Sequence, residues 1–404
     1  MTTQPQNPFM NVPASGASGI GAPSPGGGAA SPGAPAAGGT GTRSVVNRFT
    51  PLAFSGTALQ LFGVQFVNIL LICLTLGIWI PWARVRKRRF FYSNTRILDE
   101  GLDYLASGFD IFKGWMVVTL VLALFYALPL LGVPFLQEGL SLALILVYPW
   151  AINRSLRFNA RNIAWRDVRF DFNGGYFASL WYFFLLPLIG ILTVGLLMPL
   201  ASKGMRDYVA TRYTFGSAGF TSDAGLGSYY GAGFKTVLIF LILLVPVVVA
   251  CMVALGGLIT TLMSGSVGLN DPALQFLLAD PSLSMILYAI PVVMIFILTL
   301  TASYYQALTR IVMLDGLRLR GGIRLRSKMS GFVLGWIILS NLFLVVLSLG
   351  LLHPWAQVRR YRYLTETIEI RPIAEMRGFI DRQLKAGGSV GDAVGEAGGL
   401  EISF

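Results

Sequence analysis

Charged residues are scarce in this chain. Asp, Glu, Lys and Arg together make up 12% of its 404 residues, whereas hydrophobic residues make up 54%. A soluble globular domain carries roughly 25% charged residues, so most of this chain is not composed to face water. The composition argues against a set of soluble domains and predicts one polytopic membrane unit.

Residues that commonly carry chemistry are nearly missing. The two cysteines, Cys73 and Cys251, both lie inside apolar runs, which disfavours a disulfide or a metal framework. The single histidine, His353, aligns with Ile80 and Met198 of two related segments, so we expect a structural role for it. No paired carboxylates, metal-ligand spacing or nucleophile constellation occurs. We therefore expect no enzymatic activity and no cofactor.

A ten-residue string, Pro-Trp-Ala-x-x-Arg-x-x-Arg and then Phe or Tyr, occurs three times. Its copies span Pro81–Phe90, Pro149–Phe158 and Pro354–Tyr363, and a worn copy spans Pro199–Tyr208. Such repetition indicates internal duplication. The residues that we expect at the membrane interface are Pro81, Trp82, Ala83, Arg86 and Arg89; Pro149, Trp150, Ala151, Arg154 and Arg157; and Pro354, Trp355, Ala356, Arg359 and Arg362.

This string has the properties of a membrane exit. Proline suits the first turn of a new helix, and tryptophan suits the headgroup region. In each copy the tryptophan is four residues before an arginine, so we expect a cation–π contact between them. The arginines would face lipid phosphates. Anchoring alone and specific binding of an anionic ligand both remain open at this stage.

The apolar runs predict about seven helical elements, since a membrane-spanning helix needs roughly 20 apolar residues. Three of them are copies of each other: Leu74–Ala83, Leu192–Ala201 and Leu347–Ala356. The copies align through Gly77, Gly195 and Gly350, where we expect the helices to break. The repeats start near residues 54, 172 and 330.

The distribution of basic residues bears on topology. The turn near Glu138 and the loop 264–282 contain no Lys or Arg. Seven alternating spans would place many of the 31 basic residues on each side of the membrane, against the positive-inside rule. If the three duplicated elements enter and leave on one side, all basic residues share that side. We therefore predict a mainly α, internally duplicated helical bundle, with four full spans plus three re-entrant or interfacial elements, or else seven spans.

Short alternating segments after each string predict cytoplasmic β-hairpins. The clearest is Leu317–Arg326, LRLRGGIRLR. A three-residue loop, Arg320–Gly322, would place Leu319 opposite Ile323 and put four arginines on the other face.

The remaining segments flank this membrane domain of residues 45–372. Residues 1–44 are rich in Gly, Pro, Ala and Ser and predict a disordered tail. Residues 373–404 form a predicted cytoplasmic C-terminal tail, with a short helix around Ile373–Leu384.

The segment Thr75–Ile97, TLGIWIPWARVRKRRFFYSNTRI, with the Gly-rich strand segment after it, resembles the YjgN-like family of bacterial inner-membrane proteins. The resemblance extends roughly from Arg48 to Arg371. It implies a multi-pass protein of the bacterial cytoplasmic membrane, and the family domain has no assigned function. It carries over no catalytic residues.

Two classes of function fit these observations. The first is a carrier or channel for an apolar or amphipathic compound, favoured by broken helices and repeats. The second is a non-catalytic envelope or scaffold protein whose basic cytoplasmic face binds anionic lipid or partner proteins. Expected partners are the bilayer and anionic phospholipid headgroups, with no nucleic acid, and the oligomeric state stays open. Most loops and both tails are expected in the cytoplasm.

Overall fold

The computed structural model describes residues 48–128, 132, 135–263, 281–372 and 376–385. All of them belong to one unit, Arg43–Phe404. The predicted N-terminal tail, residues 1–44, lies outside the described residues.

Helices dominate the described residues and pair into five helical hairpins, numbered here 1 to 5 along the chain. Hairpin 1 is α1 (Ala58–Leu74) and α2 (Ile80–Ser93), and hairpin 2 is α3 (Gly108–Ala127) and α4 (Leu136–Arg161). Hairpin 3 is α5 (Tyr176–Leu180), a π-helical turn (Trp181–Leu185), α6 (Leu186–Leu192) and α7 (Met198–Arg212). Hairpin 4 is α8 (Leu226–Met263) and α9 (Pro281–Gly316), and hairpin 5 is α10 (Gly331–Leu347) and α11 (His353–Glu366).

Hairpins 2 and 4 contain the long apolar helices. Among the described residues, four helical segments are long and apolar enough to cross a membrane: Gly108–Ala127, Leu136–Arg161, Leu226–Met252 and Tyr288–Gly316. The shorter apolar helices are Ala58–Leu74, Tyr176–Leu192 and Gly331–Leu347, and each ends where one of the predicted duplicated segments begins. The mainly helical character and the two lengths of apolar element agree with the sequence prediction.

The strands are short and lie between the hairpins. They are β1 (Thr50–Pro51), β2 (Ala53–Phe54), β3 (Thr95–Ile97), β4 (Glu100–Gly101), β5 (Asp103–Tyr104), β6 (Ile163–Trp165), β7 (Val168–Phe172), β8 (Tyr213–Phe215), β9 (Ala218–Ser222), β10 (Leu317–Leu319), β11 (Ile323–Ser327) and β12 (Ile368–Arg371). The strand entering each hairpin pairs antiparallel with the strand leaving it.

The same backbone hydrogen bond stands at the foot of all five hairpins. In each hairpin, the backbone N–H of the residue that follows the entering strand donates to the carbonyl of the residue that precedes the leaving strand. The bonds are Ser55–Asn94 (3.0 Å), Leu105–Asn162 (2.9 Å), Asn173–Arg212 (2.9 Å), Asp223–Gly316 (2.9 Å) and Lys328–Thr367 (2.9 Å). Both ends of every hairpin therefore meet the sheet.

The described strands pair with one another in a closed ring. A nine-stranded sheet extends from β1 to β5, and a three-stranded sheet joins β2, β3 and β4. Only Leu52 separates β1 from β2, and only Leu102 separates β4 from β5. The Leu52 N–H donates to Ile368 (2.9 Å) and the Leu102 N–H to Thr95 (3.1 Å), so pairing continues through both residues. The sequence predicted short β-hairpins, and the structure joins their strands into one β ring.

The predicted loop in LRLRGGIRLR is confirmed. Leu319 lies opposite Ile323, and Arg320, Gly321 and Gly322 form the loop between them. Gly321 (φ 118°) and Gly322 (φ 95°) adopt backbone conformations that favour glycine. Both apolar partners are buried. The exposed arginines of this hairpin are Arg318, Arg320, Arg324 and Arg326.

A final helix, α12 (residues 376–385), packs on the β ring. The shared core contains Leu102, Trp165, Val168, Phe215, Ala218, Leu319, Ile323 and Ile370 from the strand segments and Met376, Phe379 and Ile380 from α12. Phe379 stacks on Phe215 with ring centroids 6.3 Å apart. The Ser217 backbone N–H and hydroxyl both donate to Gln383 Oε1 at 2.8 Å. The predicted tail thus begins with a docked helix.

The three short apolar helices end in the same turn. Leu76, Val194 and Leu349 have φ near 50°, and a glycine with φ between 85° and 93° follows each. The turn is preceded by Thr75, Thr193 or Ser348, whose hydroxyl accepts from the backbone N–H four residues later at 3.0–3.2 Å. The breaks predicted at Gly77, Gly195 and Gly350 are therefore confirmed.

A buried asparagine ties the two helices of hairpin 5 together. Asn341 Nδ2 donates to the Ala356 carbonyl at 2.9 Å, and Arg359 donates to Asn341 Oδ1 at 3.1 Å. In hairpin 1 the equivalent Asn68 lies 3.5 Å from the Ala83 carbonyl, and its buried Oδ1 has no partner. The buried asparagine of hairpin 5 therefore makes more and shorter hydrogen bonds than that of hairpin 1.

We expect Asn341→Ala to destabilise the protein by about 1–3 kcal/mol, because it removes the hydrogen bonds that Asn341 makes with the Ala356 carbonyl and with Arg359 between the two helices. Thermal unfolding in detergent would show a lowered Tm. The matched control is Asn68→Ala, which removes a longer hydrogen bond and should lower Tm less. An equal loss in both variants would contradict this account of hairpin 5.

We expect Phe379→Ala to release α12 from the β ring, since truncating a buried phenylalanine costs about 3–5 kcal/mol. Hydrogen exchange of residues 376–385 should become faster, and a protease should cleave there sooner. Leu384 is 39% exposed, so Leu384→Ala should change neither rate. Unchanged protection in Phe379→Ala would mean that this side chain does not hold the helix.

Candidate functional site

The first and third copies of the repeated string begin return helices as predicted. Pro81 lies in the first turn of α2 and Pro354 in the first turn of α11, and both are buried. The alanine of each copy supplies the carbonyl that faces an asparagine of the preceding helix. These residues join the two arms of hairpins 1 and 5.

The prediction that Pro149 starts a new helix is wrong. Pro149 lies inside α4, which continues unbroken from Leu136 to Arg161. In the other two copies a glycine four residues before the proline breaks the helix. The residue four positions before Pro149 is Ile145, and isoleucine disfavours the left-handed backbone conformation that a glycine adopts there. The helix therefore continues through the proline. Ala151 and Trp150 are exposed on this helix.

The cation–π contacts form in two copies as predicted. The Arg154 guanidinium lies 5.6 Å from the Trp150 ring centroid, and that of Arg359 lies 5.2 Å from Trp355. In the first copy Arg86 lies over Trp79 instead, at 5.3 Å.

Trp82 has other neighbours. It contacts Trp79, Phe109 and Phe112, with ring centroids 5.3–5.9 Å apart. Its indole also covers Gly108, where a Cβ would lie 2.2 Å from the ring. The predicted Trp82–Arg86 pair is therefore absent because Trp82 packs on the start of hairpin 2.

The last arginine of the string has a structural role in two copies. Arg157 Nε donates to the Phe172 carbonyl at 3.0 Å, and Arg362 Nη2 donates to the Gly56 carbonyl at 3.0 Å. Phe172 lies where the chain enters hairpin 3, the hairpin after that of Arg157. Gly56 lies where the chain enters hairpin 1, which packs beside the hairpin 5 of Arg362. Arg89 is exposed.

A cleft of about 370 Å³ lies between hairpins 5 and 1. It follows α11 from Trp355 to Glu366, eleven residues apart, which is about 16 Å along a helix. Ile337 and Trp355 give it apolar walls, and Arg359 and Arg362 provide two guanidinium groups. The cleft thus combines apolar surface with positive charge, which suits a ligand that has an apolar part and an anionic part.

Only the third copy of the string lines this cleft. The structure does not bring the three copies together at one site, and the first two stand at other hairpin boundaries. The opposite wall comes from Thr57 and Ala58 of hairpin 1, which sequence reasoning missed. No local signal marks those two residues, because their role depends on hairpin 5 lying beside hairpin 1.

His353 stands outside this cleft. It is exposed and close to Gln357 one helical turn later. Within the described ranges, no group of three His, Cys, Asp or Glu side chains could hold a metal ion.

Comparison with known proteins gives the family. Residues 49–397 match the family described as "Bacterial protein of unknown function (DUF898)". Inner membrane protein YjgN of Salmonella typhimurium is 32% identical over 138 residues, covering 34% of this chain and 35% of that protein. Inner membrane protein YjgN of Escherichia coli K12 is 29% identical over 154 residues, covering 37% and 38%.

These alignments span little more than a third of the length of the curated relatives, and no solved structure matches the chain. The family match extends over most of the sequence and confirms the resemblance drawn from Thr75–Ile97. The chain therefore belongs to the DUF898 family of bacterial proteins of unknown function.

Proposed function

We propose that this chain is a multi-pass protein of the bacterial inner membrane that binds an amphipathic compound in the cleft between hairpins 5 and 1 and acts as its carrier. The observation that carries this proposal is the cleft itself, with an apolar wall at Ile337 and Trp355 and two arginines beside it. The relatives named inner membrane protein support the location.

The proposed topology has four crossing helices and three re-entrant hairpins. Hairpins 1, 3 and 5 have first helices of 17 residues including the π turn, about 25 Å long, against a hydrocarbon core of about 30 Å. The exposed fractions of Leu76, Val194 and Leu349 at their tips are 94%, 96% and 94%. Aliphatic tips of this kind favour insertion into lipid without reaching the far side.

The β ring then lies on the cytoplasmic side. Every hairpin begins and ends at the ring, so the basic segments that flank the strands share one face. This arrangement satisfies the positive-inside rule for all 31 Lys and Arg residues, provided that both tails are cytoplasmic too.

The polarity of the cleft fits an amphipathic ligand. Its sheet end contains Thr57, Arg362 and Glu366, at the level of the headgroups in the proposed topology. Its other end contains Trp355, which lies further into the membrane in this topology. A ligand would place its anionic group near the arginines and its apolar part along the tryptophan.

We propose that the protein is not an enzyme. The side chains along the cleft are arginines, one glutamate, one threonine, one tyrosine whose hydroxyl is bonded to the Ser330 backbone, and apolar groups. Binding and movement of a ligand need no pair of nucleophile and base.

The exposed arginines of the β10–β11 hairpin favour a second candidate, a scaffold that binds anionic lipid or a partner protein. Arg320, Arg324 and Arg326 are exposed on the β ring, and Arg318 pairs with Asp223 at 2.9 Å. A scaffold would use this surface and would move no ligand.

Single cysteines in a variant lacking Cys73 and Cys251 test the topology. We expect the exposed residues Ser93 and Ser217, when replaced by cysteine, to react with a membrane-impermeant maleimide only in inverted vesicles. A cysteine at Gln137 should react in intact spheroplasts, because it lies at the opposite end of hairpin 2. Labelling of Ser93→Cys or Ser217→Cys from outside would refute the re-entrant arrangement. Asn270, in the other predicted outer loop, lies outside the described residues.

Filling the cleft tests the ligand site. We expect Ala58→Phe to reduce co-purified amphipathic ligand, measured by native mass spectrometry, at least about tenfold, which corresponds to ~1.4 kcal/mol of binding. The control Ala151→Phe makes the same change on an exposed face of α4 and should keep the ligand. Equal retention in both variants would remove the cleft as the binding site.

Transport separates the two candidate functions. In liposomes, the wild-type protein should accelerate the movement of a fluorescent phosphatidylglycerol between leaflets, read as loss of protected fluorescence after dithionite. Ala58→Phe should slow this movement, and Ala151→Phe should not. Binding without any acceleration would favour the scaffold.

A further inference from the structure

Four side chains of α11 line the cleft in a row along one face of the helix. They are Trp355, Arg359, Arg362 and Glu366, which follow one another at intervals of four, three and four residues. Helical residues at such intervals are neighbours on the same face. From the tip of hairpin 5 to the β ring, the row is therefore apolar, cationic, cationic and anionic. A ligand that lies along it has to present complementary groups in the same order.

The Arg359 guanidinium is held on one side by the protein. Its Nη1 donates to Ser340 Oγ at 2.7 Å and to Asn341 Oδ1 at 3.1 Å, and the group lies 5.2 Å from the Trp355 ring centroid. Its Nε and Nη2 make no hydrogen bond with the described residues. These two nitrogens form an edge of the guanidinium that can donate to two oxygens of one phosphate group. Arg359 is half-buried and lines the cleft, so a ligand there can reach the guanidinium.

Arg362 is held in a similar way. Its Nη2 donates to the Gly56 carbonyl at 3.0 Å, across the boundary with hairpin 1, and its Nη1 makes no hydrogen bond with the described residues. It follows Arg359 by three residues, about one helical turn, on the same face. Two guanidinium groups that the protein already holds in place need little reordering to bind one anion between them. Their positions suit a phosphate group, whose oxygens can accept from both.

Glu366 gives the sheet end of the row the opposite charge. Its carboxylate lies 4.0 Å from Arg362 Nε, too far for a hydrogen bond, and it makes no hydrogen bond with the described residues. Its side chain is 47% exposed. A headgroup that ended in an anion would bring like charges together at this end. A headgroup that continues past the phosphate to a cation would instead pair with the carboxylate.

We propose that the cleft binds a phospholipid whose headgroup ends in a primary ammonium group, as in phosphatidylethanolamine. An acyl chain packs on Trp355, the phosphate accepts from Arg359 and Arg362, and the ammonium donates to Glu366. Acyl chain, phosphate and ammonium follow one another in this lipid in the order of the row. The proposal rests on the proposed function, because it names the class of compound that the cleft of the carrier holds.

Competition between lipids tests this assignment. The delipidated full chain in detergent receives an equimolar mixture of phosphatidylethanolamine, phosphatidylcholine and phosphatidylglycerol with identical acyl chains, and native mass spectrometry counts the bound species. We expect the wild-type protein to retain phosphatidylethanolamine at least about fivefold more than phosphatidylcholine, whose trimethylated nitrogen has no hydrogen to donate. Phosphatidylglycerol should also be retained less, because its headgroup brings no positive charge to Glu366.

Glu366→Gln tests the ammonium contact. It changes an exposed side chain that makes no hydrogen bond, so the variant should fold. Its retention of phosphatidylethanolamine and phosphatidylcholine should agree within about twofold, and its retention of phosphatidylglycerol should rise. The control Glu138→Gln makes the same change at the far end of hairpin 2 and should keep the wild-type preference. Arg359→Gln should lower the retention of all three lipids together, since each of them has the phosphate.

The outcomes distinguish this proposal from the cleft itself. If Ala58→Phe releases the lipids but the wild-type protein retains all three equally, the cleft is the binding site and the ammonium assignment is wrong. A wild-type preference for phosphatidylglycerol, or a preference for phosphatidylethanolamine that survives in Glu366→Gln, would also overturn the assignment. If Ala58→Phe retains every lipid as the wild-type protein does, the cleft is not the site, and the proposed function fails together with this proposal.

Discussion

The pairing of the two strands at the foot of each helical hairpin is the constraint on which the rest of the structure depends. The same backbone hydrogen bond, from the residue after the entering strand to the residue before the leaving strand, occurs in all five hairpins, from Ser55–Asn94 to Lys328–Thr367. Because the ends of each hairpin are joined in this way, helices of very different length can stand side by side. The long apolar helices of hairpins 2 and 4 therefore alternate with short, broken ones without disturbing the β ring.

This arrangement creates boundaries between neighbouring hairpins, and the cleft lies at one of them, where hairpin 5 meets hairpin 1. The same boundary also contains the contact between the Tyr361 and Thr95 hydroxyls, and the boundary between hairpins 3 and 4 contains the hydrogen bond from Arg206 to Thr309. A polar contact that joins two hairpins and a cleft that separates them therefore occur at one boundary.

The sequence allows the local features to be predicted and hides the long-range ones. Thr75-Leu76-Gly77 and its two relatives mark the helix breaks because a left-handed glycine and a capping hydroxyl are local requirements. The loop at Arg320–Gly322 follows from alternation alone. The Pro149 prediction failed because a proline does not break a helix unless the residues before it can turn. Closure of the ring and the wall at Thr57 and Ala58 depend on strands that meet only after the chain has travelled through all five hairpins.

Closure of the β ring also has a consequence for biosynthesis. Thr50 pairs with Ile370, so β1 waits for nearly the whole chain to be translated before its partner strand exists. During that interval hairpins 1 to 4 can each pair their own two strands, whereas β1 and the β11 strand of hairpin 5 both wait for β12. The slowest step of assembly should therefore be the last one, when β12 arrives and closes the ring. A chain that ends before residue 368 would contain all five helical hairpins but neither β12 nor α12, so its β ring would stay open.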